Sequence, residues 1–390
     1  MSDETIYREF IDWFKMGWHL PETEELLPTL KARFSPEEAF FLTGVPLGLT
    51  RLEALAEAKG MDPTELGEKL DALARKQVVY RRVAEDGVLY KLNDAFFTFL
   101  RSSFWSGQAD DKTRALASVT NKYYLSGFFD DWVDTHHRGL RTLPIEETIA
   151  DTKQVVSYED VAKLAETLDY PTVSYCPCKQ RKNLDPDSPD CEHPGEVCLH
   201  FGDLGRYIVQ NGMGREITRE EMREILRTAA KSGLVHGVSN WLNDMDTICN
   251  CCKCCCMWFE GYHVLHQSGS LSPSNYEVRN DHETCKGCGL CVDRCPMDAQ
   301  TLEEWPEANN KRGQVSVSTP EKCIGCGVCV YTCPVEALTL ERREITEDPP
   351  QDVYEFAKHY FRDRQAGLER LAKEKAEGAA QTAGVPDSEK

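Results

Sequence analysis

The chain has 390 residues, enough for two or three domains, with an ordinary apolar share of 41% and a formal net charge of −20. The acidic excess repels nucleic acid and leaves no basic footprint for it, and no run of about 18 apolar residues offers a membrane span. Eighteen cysteines crowd between Cys176 and Cys333, whereas a disulfide-stapled secreted chain would be short and would spread them along its length. The start, Met1 to Phe10, has no basic region followed by an apolar run, so no signal peptide is expected and a reducing cytoplasm is the simplest compartment.

Residues 1–34 read as helical and rich in aromatics. Ser35-Pro36-Glu37-Glu38 is a helix start, with Ser as cap, Pro in the first turn and Glu three residues after the cap. A second helix fits 50–59, stopped by Gly60, and Asp62-Pro63-Thr64-Glu65 starts a third with Leu66, Leu70 and Leu73 on one face. Val78-Val79-Tyr80 and Val88-Leu89-Tyr90 read as strands around the turn Glu85-Asp86-Gly87. Three helices followed by a hairpin resemble a winged-helix domain over roughly 35–105. The would-be recognition helix, 63–76, sets Glu65, Glu68 and Asp71 against Lys69, Arg75 and Lys76. Phosphate binding needs a basic face, so docking or scaffolding is the expected role. Residues 110–139 read as a further helix that includes His136-His137.

Between 140 and 262 a pattern occurs twice. Ser157-Tyr158-Glu159-Asp160 caps a helix to Leu168, and Thr172 to Tyr175 forms a strand entering Cys176-Pro177-Cys178. Thr218-Arg219-Glu220-Glu221 caps a helix to Lys231 that Gly233 ends, and Leu234-Val235-His236 forms a short strand before Cys249. Two such units predict loops brought side by side, as in open α/β sheets. Gly212-Met213-Gly214 follows Tyr207-Ile208-Val209, but Ile217 stands at the third glycine position, so a dinucleotide site is not supported. Past residue 345 the chain turns charged; Val353 to Lys375 fits a helix and Ala376 to Lys390 reads as disordered.

Cys285, Cys288, Cys291 and Cys295-Pro296 form C-x2-C-x2-C-x3-C-P, and Cys323, Cys326, Cys329 and Cys333-Pro334 repeat it. Zinc sites use C-x2-C pairs rather than such quartets. Gly287, Gly289, Gly325 and Gly327 let backbone N–H groups approach cluster sulfurs. The doubled run, over about 278–342, resembles the bacterial ferredoxin with two 4Fe-4S clusters. The resemblance implies a crossed ligand assignment: Cys285, Cys288, Cys291 and Cys333 on one cluster, Cys323, Cys326, Cys329 and Cys295 on the other. The 27 residues between Cys295 and Cys323 predict an extra hairpin around Asn309-Asn310.

Ten cysteines remain as candidate metal ligands: Cys176, Cys178, Cys191 and Cys198, then Cys249, Cys251, Cys252, Cys254, Cys255 and Cys256. Neighbours in a strand point to opposite sides, so Cys254-Cys255-Cys256 is not expected to serve one metal. Ten thiols could hold one 4Fe-4S cluster with spares, or two using eight; zinc and a redox-active dithiol stay open. Lys179, Arg181, Lys182 and Lys253 either offset cluster charge or are solvated loop charges, and His193 and His200 flank Cys191 and Cys198. Residues 140–345 also resemble a group of uncharacterised anaerobe iron–sulfur proteins, in which a C-P-C-K/R loop and an I-C-N-C-C-x-C-C-C loop precede a ferredoxin module. They resemble heterodisulfide-reductase systems more distantly, and that family's C-C-G signature is missing here.

The expected fold class is a multidomain α+β protein. A helical and winged-helix-like domain takes 1–110, a linking helix 111–139, a cysteine-rich α/β domain 140–262, a two-cluster ferredoxin-like domain 278–345, and a charged tail 346–390. The expected function is relay of single electrons through several 4Fe-4S clusters, two in the ferredoxin domain and one or two in the middle domain, to or from a partner oxidoreductase. The alternatives are an iron–sulfur reductase with a catalytic cluster or thiol in the middle domain, and a redox-sensing winged-helix regulator.

Overall fold

The computed structural model describes residues 1–17, 20–128, 138–150, 157–267 and 270–383. The His136-His137 pair and most of 129–139 lie outside these.

The N-terminal part holds α1 (Asp3–Phe14), α2 (Leu26–Arg33), α3 (Pro36–Leu42), β1 (Thr50–Arg51), α4 (Leu52–Lys59), α5 (Pro63–Arg75), β2 (Val79–Ala84) and β3 (Gly87–Leu92). The caps expected from the sequence form. The Ser35 side chain accepts from the Glu38 amide and Glu38 reaches back to the Ser35 amide; Asp62 caps α5; Gly60 ends α4 in the left-handed region. Leu66, Leu70 and Leu73 are buried, and β1, β3 and β2 form one antiparallel sheet in that order. Phe10, Phe14, Phe34 and Phe99 meet with ring centroids 5.1–6.4 Å apart, which knits α1 and α2 to the segment that follows the hairpin. That segment is a π-helical turn, Phe96–Arg101, continued by a 3-10 turn, Ser102–Phe104, and then α6 (Asp111–Tyr123).

The middle part contains β4 (Leu140–Leu143), α7 (Val161–Thr167), β5 (Thr172–Tyr175), α8 (Pro177–Leu184), β6 (Glu196–His200), α9 (Gly202–Gln210), β7 (Gly214–Glu216), α10 (Arg219–Lys231), β8 (Val235–Ser239), β9 (Thr247–Cys251), α11 (Met257–His263) and β10 (Leu271–Ser272). One seven-stranded sheet runs β10-β4-β8-β9-β6-β5-β7, antiparallel except for β10 against β4. The expectation of open α/β units is corrected here. The helix–strand units are real, but β6 inserts between β5 and β9 and pairs antiparallel with both. That insertion makes β5 and β9 point the same way, whereas β8, the strand expected of the second unit, is antiparallel to β9 and runs opposite to β5. The second cysteine group is reached through β9, a strand not expected from the sequence. The α7 cap is Asp160 rather than Ser157, because the Asp160 carboxylate accepts from the Ala162 and Lys163 amides. Tyr207 to Val209 lie in α9, so Gly212-Met213-Gly214 follows a helix and not a strand.

The last part holds β11 (Tyr276–Asn280), α12 (Leu290–Arg294), β12 (Gln300–Glu304), β13 (Gln314–Ser318), α13 (Val328–Tyr331), β14 (Leu338–Arg342) and α14 (Val353–Ala383). β12 and β13 pair antiparallel around residues 305–313, the extra hairpin expected near Asn309-Asn310. The last part docks on the segment that follows β4: the Ile145 amide donates to the Cys326 carbonyl at 3.2 Å and the Ala150 amide to the Leu340 carbonyl at 3.0 Å. The tail differs from expectation, since α14 continues past Ala376 to Ala383. Four of the eight residues from Ala376 to Ala383 are Ala, the strongest helix former, which outweighs the segment's low apolar content. Among the described residues no helix is long and apolar enough to cross a membrane.

Candidate metal centres

The repeated C-x2-C-x2-C-x3-C-P runs build two small cavities. One is about 20 Å³ and is lined by Cys285, Cys288, Cys291 and Cys333; the other is about 10 Å³ and is lined by Cys295, Cys323, Cys326 and Cys329. Each cavity takes three thiols from one run and the fourth from the other. Backbone amides point at the sulfurs: Gly287 and Ser316 donate to Cys285 at 3.4 Å each, Ala299 to Cys295 at 3.2 Å, and Ala337 to Cys333 at 3.3 Å. Such N–H donors favour negative charge on sulfur. Gly287, Gly289, Gly325 and Gly327 all have φ between +60° and +85°. At Gly325 a Cβ would stand 2.1 Å from the Tyr276 carbonyl oxygen. Glycine is required there by sterics as well as by the turn. Burial pushes the thiols of Cys291, Cys295, Cys326 and Cys329 up. A metal that binds the thiolates offsets that cost, so the donor set fits an iron–sulfur group.

The middle sheet presents a second set of thiols. Cys249 and Cys251 are two apart on β9 and share a face. Leu199 lies opposite Ile248 across β6 and β9, which brings Cys198 beside Cys249. The other face carries Val173, Leu199, Val238 and Ile248 into an apolar core with α7 and α10. Cys176 caps α8, Cys178 lies in its first turn, and Cys256 caps α11. These six thiols line a cavity of about 90 Å³ with Arg101, Phe96 and Trp258. Cys178 and Cys249 are held well below the ordinary thiol range, first because Cys176 and Cys198 donate S–H bonds to them. The positive end of α8 and the nearby cations favour anionic sulfur in this basin as well.

The basic residues divide. Lys179 is buried at 1% exposure, its Nζ donates to the Pro194 carbonyl at 2.7 Å, and its charge faces Cys176, Cys252, Cys191 and Cys251. Arg181 lies by Cys178, and it and Lys182 both pair with the buried Glu260 of α11. Lys253 instead pairs with exposed Asp298, so it is a solvated charge. α8 is therefore a polar helix buried through its charge partners, which its hydropathy gave no means of placing. His200 is no ligand candidate: Nε2 is 2.9 Å from Ser174 Oγ and Nδ1 3.2 Å from Thr247 Oγ1.

The remaining four, Cys191, Cys252, Cys254 and Cys255, have sulfurs within 4.8 Å of one another. Cys254 and Cys255 join one group although they are adjacent. The expectation that Cys254, Cys255 and Cys256 do not all serve one metal agrees with this grouping, since Cys256 faces the basin; the split comes from the turn at 253–255 rather than from strand alternation. A further cavity of about 530 Å³, lined by Arg138, Arg141, Glu159, Arg343 and the ferredoxin-run Cys323, was not visible in the sequence. No curated protein matches the chain. Residues 284–337 match the family model of the 4Fe-4S dicluster domain, so the protein is an iron–sulfur protein with a second concentration of cysteines in its middle part.

Proposed function

We propose that the protein is an electron carrier that passes single electrons between a partner oxidoreductase and a chain of 4Fe-4S clusters. Two clusters belong to the dicluster domain with the crossed ligand sets, Cys285, Cys288, Cys291 and Cys333, and Cys295, Cys323, Cys326 and Cys329. A third belongs to the basin of Cys176, Cys178, Cys198, Cys249, Cys251 and Cys256. A bound cubane supplies one-electron redox chemistry at a potential set by hydrogen bonds and exposure. The chain's residues supply the thiolates, the amide donors and the cations Lys179, Arg181 and Arg101. The observation that carries the reading is one buried core that contains Cys251 and Cys256 of the basin together with Cys291, Cys295, Cys323, Cys326 and Cys329. Protein packing that runs without a break between the two cysteine-rich parts supports a relay between them. The order of α3, β1, α4, α5, β2 and β3 supports a winged-helix-like N-terminal domain as the docking element. The exposed face of α5 carries Glu65, Glu68, Lys69 and Arg75, a balanced set that favours protein over DNA. The test is stopped-flow oxidation of the dithionite-reduced chain by a one-electron acceptor, followed by paramagnetic resonance. Reoxidation of all clusters without any substrate turnover supports the carrier; a cluster that reoxidises only with a small-molecule substrate sinks it.

One observation favours a reductase as the second reading: six thiols and a cavity several-fold larger than either dicluster cavity exceed what a four-coordinate cubane uses. Two thiols would then stand free beside the cluster. Trapping with iodoacetamide after anaerobic purification tests it, because two labelled basin cysteines in the iron-replete chain are expected and none would refute it.

A further inference from the structure

The thiols of the middle domain differ in spacing, and the spacing is diagnostic. Cys191 and Cys252 are 3.9 Å apart sulfur to sulfur, Cys191 and Cys254 3.5 Å, and Cys254 and Cys255 3.7 Å. We propose that Cys191, Cys252, Cys254 and Cys255 hold a single tetrahedral divalent metal ion, of the tetrathiolate class that takes zinc or ferrous iron, separate from every iron–sulfur cluster.

A metal–thiolate bond of about 2.3 Å sets the edge of a regular tetrahedron at about 3.8 Å. The observed separations straddle that value. In a cubane each thiolate takes its own corner iron, so the four sulfurs diverge from one another. The same chain provides the comparison. Neither the eight cysteines of the dicluster domain nor the six of the basin contain three sulfurs mutually within 4.8 Å, among the described residues. The separations are also far too long for disulfides, whose S–S bond is about 2.05 Å.

The site is built by two pieces of chain. Cys252 follows the end of β9, and the turn at 253–255 swings Cys254 and Cys255 back toward it. Cys191 comes from the loop between α8 and β6, where its amide donates to Asn183 Oδ1 at 3.2 Å. Val197, Ala229 and Leu234 pack around the buried Cys252 and Cys255. Four protein sulfurs close the coordination shell and leave no position for substrate, the mark of a structural site. The loop over 185–195 has neither helix nor strand. The ion would tie it to the end of β9, next to Cys176 and Lys179, and so fix one wall of the basin. Cys252 lines both the basin and this site.

The test uses the full chain purified without oxygen, with zinc, iron and acid-labile sulfide counted per chain in the wild type, Cys191→Ser and Cys254→Ser. The wild type should carry one metal ion in excess of its sulfide, and each variant should lose that ion while keeping all of its sulfide. Whether the lost ion is zinc or sulfide-free iron separates the two metals. Loss of about four irons together with about four sulfides would make these residues cluster ligands and overturn the proposal. So would variants that keep all of their metal. Should the variants fail to fold, the wild type decides alone: metal equal to sulfide overturns the site, and an excess of one ion supports it. For zinc, X-ray absorption should add four sulfurs at about 2.3 Å with no metal neighbour. The result stands apart from the number of clusters, because only the excess over sulfide is read.

Discussion

Glu260→Gln is the substitution that probes the basin most sharply. Glu260 is 7% exposed on α11 and holds two buried cations of α8. Arg181 donates to its Oε2 at 3.2 Å and Lys182 to its Oε1. The Arg181 guanidinium also lies 4.9 Å from the centre of the Tyr124 ring, and its Nη1 has no hydrogen-bond partner among the described residues. Arg181 is 1% exposed and Lys182 8%, so little solvent is at hand to stabilise their charges when the carboxylate is neutralised. Breaking a buried ion pair from one side costs about 3–5 kcal/mol. With an unfolding entropy of about 2 cal/mol/K per residue, that is a drop of about 4–6 °C in melting temperature if the chain unfolds as one unit, and more if the middle domain melts alone. α8 begins at Cys176 and Cys178, so the same change should loosen the basin thiols and leave the dicluster domain alone. Circular dichroism melting with iron counted before and after brief chelation measures both effects. A variant that melts within about 1 °C of the wild type and keeps all of its iron would refute the role given to the Glu260 pair.

Cys295→Ser should disturb the paramagnetic signal of the cluster held by Cys323, Cys326 and Cys329, and Cys333→Ser that of the other; the reverse pattern would contradict the crossed assignment. Gly325→Ala, with φ of +64° and a Cβ 2.1 Å from a carbonyl oxygen, should prevent assembly of its cluster. Gly313→Ala, with φ of +63° and open space, should cost only about 1–2 kcal/mol in a denaturant titration. Burial holds His200 well below the usual histidine pKa, with the Arg101 charge adding to the effect. Its folded form therefore resists protonation, so its contribution is whole above about pH 6.5 and is lost as pH falls below that. Denaturation midpoints of the wild type should fall from about pH 7.5 to about pH 5.5 by more than those of His200→Asn; equal falls would remove His200 as a cause.

The parts of this architecture that can be read from residues are those where local chemistry decides. Ser35, Asp62 and Thr218 cap the helices they precede because their side-chain oxygens meet free amides within three residues. The doubled cysteine run and its hairpin are legible for the same reason, since the spacing encodes the geometry. The middle domain is not local. Which strand lies between β5 and β9 depends on β6, whose sequence, Glu196 to His200, carries no pairing signal of its own. The burial of α8 depends on Glu260, some 80 residues away, so basic residues that the sequence leaves open between cluster-facing and solvated loop charges lie in the interior on a helix. The division of ten thiols into six and four depends on a turn at 253–255: strand alternation anticipates that Cys254, Cys255 and Cys256 do not share one metal, but not that Cys254 and Cys255 stay together.

The central claim is three cubanes and one lone ion in this chain, and the most direct measurement is iron and acid-labile sulfide per chain on protein purified without oxygen. About 12 sulfides, with one metal ion beyond the iron that matches them, is the predicted result. About 8 sulfides would leave the basin without a cluster, and about 16 would turn Cys191, Cys252, Cys254 and Cys255 into cubane ligands; either contradicts the account.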